Sequence, residues 1–262
     1  LYIVNDDIKT CKVYCTYFGQ RRGKESASPA NAEEAYVVFK NNIENDIIFD
    51  CGVKNMDIIV INNHSSQITD ECKKYLESLS NISTPYGKIR VFERENVAGS
   101  LGAYSYAFNK FEDDYDYWLF IEDDIKMIYP RYYEMIIEEF NADEKLGFLA
   151  FTLINDEGDV NSMHVSGGFG ASKKEILKKV KVKYGKLPYD EGINLTNYAR
   201  IGYSEKYFTN CYLKMGYNVR IPRRGDVVTL ADNWQTFSPH VKWQNIKKFN
   251  LKNKQFICHL GL

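Results

Sequence analysis

Short, continuously apolar segments alternate with helical ones through the first half of the chain. This alternation restricts the fold more than any other feature. Lys12 to Phe18, Asp57 to Asn62, Lys88 to Phe92, Tyr117 to Ile121 and Phe148 to Leu153 read as strands. Between them, Ala32 to about Asn45, Thr69 to Leu79, Leu101 to Phe111 and Pro130 to Phe140 read as helices, the last with its proline at a favourable first-turn position. Strands apolar on both faces must be covered on both, and strands separated by helices run mostly parallel. The expectation is an α/β fold with a mostly parallel sheet covered by helices on both faces.

The second half is less regular. Gly167 and Gly168 lead into a helix from Lys173 to about Val180, and another helix runs from about Glu205 to Met215. Met215 to Pro222 then reads as a glycine-terminated helix feeding a strand. Pro is rare, and no repeat or low-complexity linker marks a boundary, so residues 1–262 are expected to form one domain.

Composition removes several classes of function. The 34 Lys and Arg against 35 Asp and Glu give a net charge of −1, without the basic excess that phosphate contacts require, so no nucleic-acid partner is expected. No apolar run approaches the roughly 18 residues that cross a bilayer, so no transmembrane span is expected; the expected location is cytoplasmic or peripheral at a membrane surface. Leu1 is not a methionine, which leaves an upstream targeting segment open. Cys11, Cys15, Cys51, Cys72, Cys211 and Cys258 contain no CxxC pair and read as free buried thiols rather than a zinc site or disulfide framework.

Ligands of open α/β sheets bind outside the carboxyl ends of the strands. There the sequence places Glu122-Asp123-Asp124, directly after Tyr117-Trp-Leu-Phe-Ile121. In an extended tail Glu122 and Asp124 would share one face and Asp123 the other. Two convergent carboxylates suit Mn²⁺ or Mg²⁺ beside a substrate diphosphate, because hard cations take oxygen ligands and leave positions for phosphate. The competing reading is a solvated turn. Between Phe111 and Ile125 stand Glu112, Asp113, Asp114, Asp116 and these three acids without a base, so a cation or a basic partner must answer their repulsion.

The block Arg94-Glu-Asn-Val-Ala-Gly-Ser-Leu-Gly-Ala103, a helix, and then Tyr117 to Ile125 resembles the GT-A glycosyltransferases. It is most similar to their inverting branch of galactofuranosyl and rhamnosyl transferases. The resemblance implies a Rossmann-like GT-A fold. It also divides the chain into a nucleotide-binding half (1–125), an acceptor half (126–225) and a C-terminal tail (226–262). Donor contacts are implied for Thr16 and Tyr17 after the first strand, Asn62 after the second, Asn96 and Gly99 in the phosphate-side loop, and Glu122 and Asp123. Asn62 stands where the family carries Asp, and Glu122 replaces the first Asp of the acid cluster. Metal ligation is implied for Glu122 and Asp124, with His240 the first candidate for a third ligand ahead of His259, Asp226 or Asp232. His64 and His164 read as loop or structural residues.

Ser166-Gly-Gly-Phe-Gly-Ala171 looks like the family's acceptor-side segment, which includes Gly167 and Gly168. Gly202-Tyr-Ser-Glu205 is similar to the motif whose acid opens a helix and serves as catalytic base. The competing reading of Glu205 is an ordinary first-turn acid favoured by the helix dipole. Aromatics reach 15% of the chain, and Tyr203, Tyr207 and Trp234 are candidates to stack on acceptor sugars, with core packing the alternative.

The function implied is a metal-dependent transfer of sugar from a nucleotide diphosphate sugar to a glycan or glycolipid hydroxyl. A sugar-nucleotide nucleotidyltransferase is the first competitor. It would need a glycine-rich basic loop after the first strand, for which Gln20-Arg-Arg-Gly-Lys24 is a poor match. A carbohydrate-binding module without turnover is the second. The tail from Lys242 to Lys254 carries five lysines and no acid, and reads as a solvated face or as a peripheral contact with an anionic membrane.

Overall fold

The computed structural model describes residues 7–19, 31–127, 130–155, 163–189, 198–223, 227–231, 234–237 and 240–242; for 155, 198–203 and 227–242 it describes backbone alone. The elements in chain order are β1 (Thr10–Thr16), α1 (Ala32–Ile48), β2 (Met56–Asn63), α2 (Asp70–Leu79), β3 (Ile89–Arg94), α3 (Gly99–Phe111), β4 (Tyr117–Glu122) and β5 (Ile125–Met127). They continue with α4 (Tyr132–Asn141), β6 (Leu146–Ala150), β7 (Thr152–Asn155), β8 (Met163–Val165), β9 (Gly170–Lys173), α5 (Lys174–Tyr184) and α6 (Tyr198–Lys214). The last strands are β10 (Asn218–Arg220), β11 (Val227–Ala231), β12 (Trp234–Phe237) and β13 (His240–Lys242).

Seven strands form the main sheet in the order β10-β6-β9-β4-β1-β2-β3. Its strands pair in parallel except β9, which is antiparallel to both β4 and β6. The two central strands, β1 and β4, are buried almost throughout, as their unbroken apolar runs require. In-register pairing of Thr16 with Asn62 and of Cys15 with Glu122 brings the carboxyl ends of β1, β2 and β4 to one edge. Two smaller sheets flank that edge: β11-β12-β7-β8, and the pair β13-β5.

Helix entries follow capping chemistry. Asn31 accepts the Glu34 amide at the start of α1, and Thr69 accepts the Cys72 amide at the start of α2. Pro130 lies outside α4, because Arg131 takes the N-cap position with φ 59°. The run from Phe148 to Leu153 is not one strand. It divides at Phe151, whose amide donates to Phe169 O, so that β6 joins the main sheet and β7 the small one. Residues 227–242, expected in a tail, supply strands that pair with β7 and β5.

The acidic run is also resolved into two parts. Glu112, Asp113, Asp114 and Asp116 lie between α3 and β4, at the opposite end of β4 from Glu122. Lysines of α5 answer three of them: Lys181 pairs with Glu112, Lys178 with Asp113, and Lys174 with Asp116 at 3.1 Å. Arg90 faces Asp114 at 3.8 Å. The basic partner is therefore this chain's own helix α5 for three acids and Arg90 of β3 for the fourth, and Glu122, Asp123 and Asp124 remain at the ligand edge. The five described cysteines are free and buried; Cys258 lies outside the described residues.

Candidate active site

The edge is built from the ends of the central strands. Thr16 donates its hydroxyl to Asn62 Oδ1 at 3.2 Å, and both residues are buried. Asn62 can therefore fill the place expected of an acid by holding the end of β1. Asn63, which sequence reasoning did not single out, is the larger organiser. Its Nδ2 reaches Cys15 Sγ and Gly99 O, each at 3.2 Å, while its Oδ1 accepts from Arg94 at 2.8 Å. Arg94 also donates to Val97 O at 2.9 Å. These contacts strap the loop before α3 against the strand ends. Asn96, in that loop, is half-buried, and its Oδ1 is buried without a hydrogen-bond partner among the described residues. Tyr17 is half-buried, its ring 2.8 Å from where a Cβ on Gly19 would stand.

Glu122 ends β4, and Asp123 and Asp124 form a turn into β5 instead of an extended tail. The alternation expected to place Glu122 and Asp124 on one face therefore stops at Glu122. Both aspartates are 1% exposed. Asp123 is bound on three sides: its amide donates to Cys15 O at 3.1 Å, its Oδ2 accepts the Tyr17 amide at 3.1 Å, and its carbonyl accepts from Asn42 at 2.8 Å.

Gly167 lies between the two halves of the site. It adopts φ 62°, and a Cβ there would stand 2.9 Å from Glu122 Oε1, so only glycine suits both the backbone and the contact. Its carbonyl accepts from the Ser100 hydroxyl at 3.1 Å, in the first turn of α3, and its amide donates to Glu205 Oε1. Gly168 is equally close to α3, a Cβ there falling 2.3 Å from Leu101 Cδ2.

Glu205 does not open its helix. It lies seven residues inside α6, which starts at Tyr198, so the first-turn dipole reading does not apply. Its carbonyl accepts from Thr209 at 2.8 Å, and Thr209 Oγ1 accepts the Val165 amide at 3.0 Å, which ties α6 to β8. His164, also on β8, is 2% exposed with Nε2 3.6 Å from Glu205 Oε2. Sequence reasoning treated it as structural. The available signal was its place on a strand leading directly into Ser166-Gly-Gly.

Tyr207 is displaced from the cluster. Two residues past Glu205, it points about 200° around the helix, is 41% exposed, and faces Tyr184 at 6.5 Å between ring centroids. Tyr203 lies in the backbone-only part of α6. Trp234 pairs by backbone with Ile154, which pairs in turn with His164. His240 pairs by backbone with Met127, three residues beyond Asp124. The side chains of these three residues, together with Gln20 to Lys24, Asp226, Asp232, His259 and nearly all of the lysine-rich tail, lie outside the described residues.

The donor set at the acid turn fits a hard divalent cation, since Glu122 and Asp124 offer carboxylate oxygens alone. Among the described residues no group of three or more His, Cys, Asp or Glu is assembled to hold a metal ion. Two carboxylates leave coordination positions for diphosphate oxygens and water.

A sheet of this order, with an acid turn at its carboxyl edge and a glycine pair facing it, is the GT-A arrangement of nucleotide-sugar enzymes. The chain belongs to glycosyl transferase family 2, whose profile matches residues 41–199, more than half of the sequence. Comparison with proteins of curated function found no match.

Among solved structures, the mannosyltransferase PcManGT from Pyrobaculum calidifontis, in complex with GDP-Man and Mn²⁺, is similar at a TM-score of 0.52 and 12% identity, over 82% of this chain and 54% of that one. TarS from S. aureus is similar at a TM-score of 0.51 and 12% identity, over 88% of this chain and 37% of that one. TarS 1-349 in complex with UDP gives 0.50 and 11% identity, over 83% and 59%. The chain thus spans less than two thirds of the length of each of these structures, and the likeness is one of fold. Among the described residues no helix is long and apolar enough to cross a membrane.

Proposed function

We propose that the protein transfers a sugar, with inversion, from a nucleotide diphosphate sugar to a hydroxyl of a carbohydrate or glycoconjugate, in the manner of the galactofuranosyl and rhamnosyl transferases. The observation that carries this reading is the position of Gly167, with Glu122 2.9 Å from where its Cβ would stand and Glu205 on its amide. The carboxylates assigned to the donor and acceptor sides thus approach the same residue.

On the donor side, Asn96, Gly99 and the α3 amino end receive the diphosphate, and Thr16, Tyr17 and Asn62 lie at the nucleoside end of the edge. Glu122 and Asp124 would hold Mn²⁺ or Mg²⁺. The bound cation would offset the charge that develops on the departing diphosphate. On the acceptor side, Glu205 takes the proton of the attacking hydroxyl. The hydroxyl oxygen bonds to the anomeric carbon from the face opposite the diphosphate. The bond from that carbon to phosphate oxygen breaks, and its electron pair leaves with the nucleoside diphosphate. The Gly167 amide on Oε1 orients the Glu205 carboxylate toward the cleft side of the glycine pair. Gly167, Gly168, Tyr203 and Trp234 border the acceptor cleft.

The fold is shared with structures seen with GDP-Man and Mn²⁺ and with UDP, which supports the choice of donor class. A thermal-shift screen of UDP, GDP, dTDP and CMP sugars, with and without Mn²⁺, tests it, because a ligand bound by the folded state raises the melting temperature. One donor is expected to stabilise the protein only with Mn²⁺, and Asp124→Ala should abolish that shift. An undiminished shift in Asp124→Ala would remove the metal assignment.

A further inference from the structure

Helix α1 packs on the sheet through Ala35, Phe39 and Ile43, yet the same buried side carries Asn42 and Asp46, one turn apart. Buried polar groups of this kind are costly unless bonded, so their partners identify their role. Asp46 bonds to Lys12 Nζ at 2.7 Å and to the Tyr14 hydroxyl, both on β1. It fixes the height of α1 along the strand. One turn toward the ligand edge, Asn42, 6% exposed, donates from Nδ2 to Asp123 O at 2.8 Å.

That carbonyl belongs to the peptide group joining Asp123 to Asp124. A peptide is planar, so holding its oxygen fixes the plane from which the Asp124 side chain departs. The amide and carboxylate of Asp123 are already held by the end of β1 and the residue after it, through Cys15 O and the Tyr17 amide. The Asn42 bond adds a contact from helix α1 on the backbone of the turn itself. We propose that Asn42 is a positioning residue for the divalent cation: anchored through Asp46, it orients the Asp123–Asp124 peptide so that Asp124 is held ready to ligate. This rests on the cation assignment made above.

Mn²⁺ binding to the full chain, read as loss of the free-ion EPR signal, is the test. Asn42→Leu keeps the size of the side chain and removes the donor. It is expected to fold and to bind Mn²⁺ about 10–100-fold more weakly, the usual effect of losing a group that orients a metal ligand. Leu79→Ala, which opens a cavity on α2, should lose stability and keep its Mn²⁺ affinity, separating positioning from general destabilisation.

Equal affinity in Asn42→Leu and the unaltered protein overturns the proposal. Should Asn42→Leu not fold, Asn42→Ser, polar but too short to reach the carbonyl, carries the same expectation; if neither folds, Asn42 is purely structural and the proposal is overturned. Failure of the cation assignment shows separately, as Mn²⁺ binding in Asp124→Ala equal to that of the unaltered protein.

Discussion

His164 Nε2 stands 3.6 Å from Glu205 Oε2, while the other oxygen of that carboxylate accepts the Gly167 amide. Glu205 is therefore bonded at one oxygen by the Gly167 amide and faced at the other by the His164 ring. In the proposed role of base, Glu205 would lose its chemistry when its proton affinity is removed and its shape kept. Glu205→Gln is expected to lower kcat by about 10²–10⁴-fold, the usual contribution of a general base. Donor binding, measured by the Mn²⁺-dependent thermal shift, should survive. Collapse of donor affinity in this variant would instead place Glu205 on the donor side.

Gly167 invites a matched comparison with Gly185. Both have positive φ, at 62° and 78°, but a Cβ at Gly185 meets nothing within 4 Å, whereas one at Gly167 meets Glu122. Alanine at either position should cost about 1–3 kcal/mol of stability from the backbone alone. Gly167→Ala should in addition displace Glu122 and weaken the donor, while Gly185→Ala should bind donor as the unaltered protein does. Isothermal titration with the donor found in the screen, beside urea unfolding, separates the two effects. Equal donor affinity in both variants would show that Glu122 tolerates displacement.

Much of this arrangement was legible in the sequence, for physical reasons. Strands buried on both faces must be apolar throughout, so β1, β2 and β4 declared themselves, and the helix expected over Thr69 to Leu79 is α2 with Thr69 as its N-cap. The identity of the edge residues Thr16, Asn62, Gly99, Glu122, Gly167 and Glu205 followed from motif order. The missing parts depend on contacts between segments distant in sequence. Nothing local to Lys178 or Lys181 shows that they face Asp113 and Glu112, so the acidic run read as a single pole. The split at Phe151 arises because β6 and β7 join different sheets. His164 and Asn42 gain meaning only through Glu205 and Asp123, 41 and 81 residues away. Tyr207 was assigned by nearness in sequence, which helical geometry turns into opposite faces.

The pair Lys12 and Asp46 makes a strong prediction about stability. Both are fully buried, their charges 2.7 Å apart, with the Lys12 ammonium 4.5 Å from the centre of the Tyr132 ring. Burial holds the Lys12 pKa below the ordinary lysine value, with Asp46 acting in the opposite direction. Removing one partner leaves the other charge uncompensated in the core, so Asp46→Ala should destabilise by about 3–5 kcal/mol. The double change Lys12→Met with Asp46→Leu removes both charges and should recover most of that loss. Urea unfolding of the three proteins measures it; a double variant no better than Asp46→Ala would mean that packing, not the unpaired charge, sets the cost.

Thiol chemistry offers the last test of the packing. Nucleophilic cysteines are thiolates, and a thiol titrating far above neutrality presents almost none. Burial pushes the Cys72 thiol up to about 12, with Asp123 and Glu71 adding to the rise. Burial also raises the Cys11, Cys51 and Cys211 thiols. In a Cys258→Ser background, which removes the cysteine outside the described residues, an aromatic disulfide reagent at pH 8 should therefore label these four thiols only as fast as the protein opens. In denaturant they should react at once. Urea below the unfolding midpoint should accelerate native labelling in step with the loss of stability. A fast-reacting thiol traced by mass spectrometry to Cys72 in the native protein would show that this residue of α2 is not buried in solution.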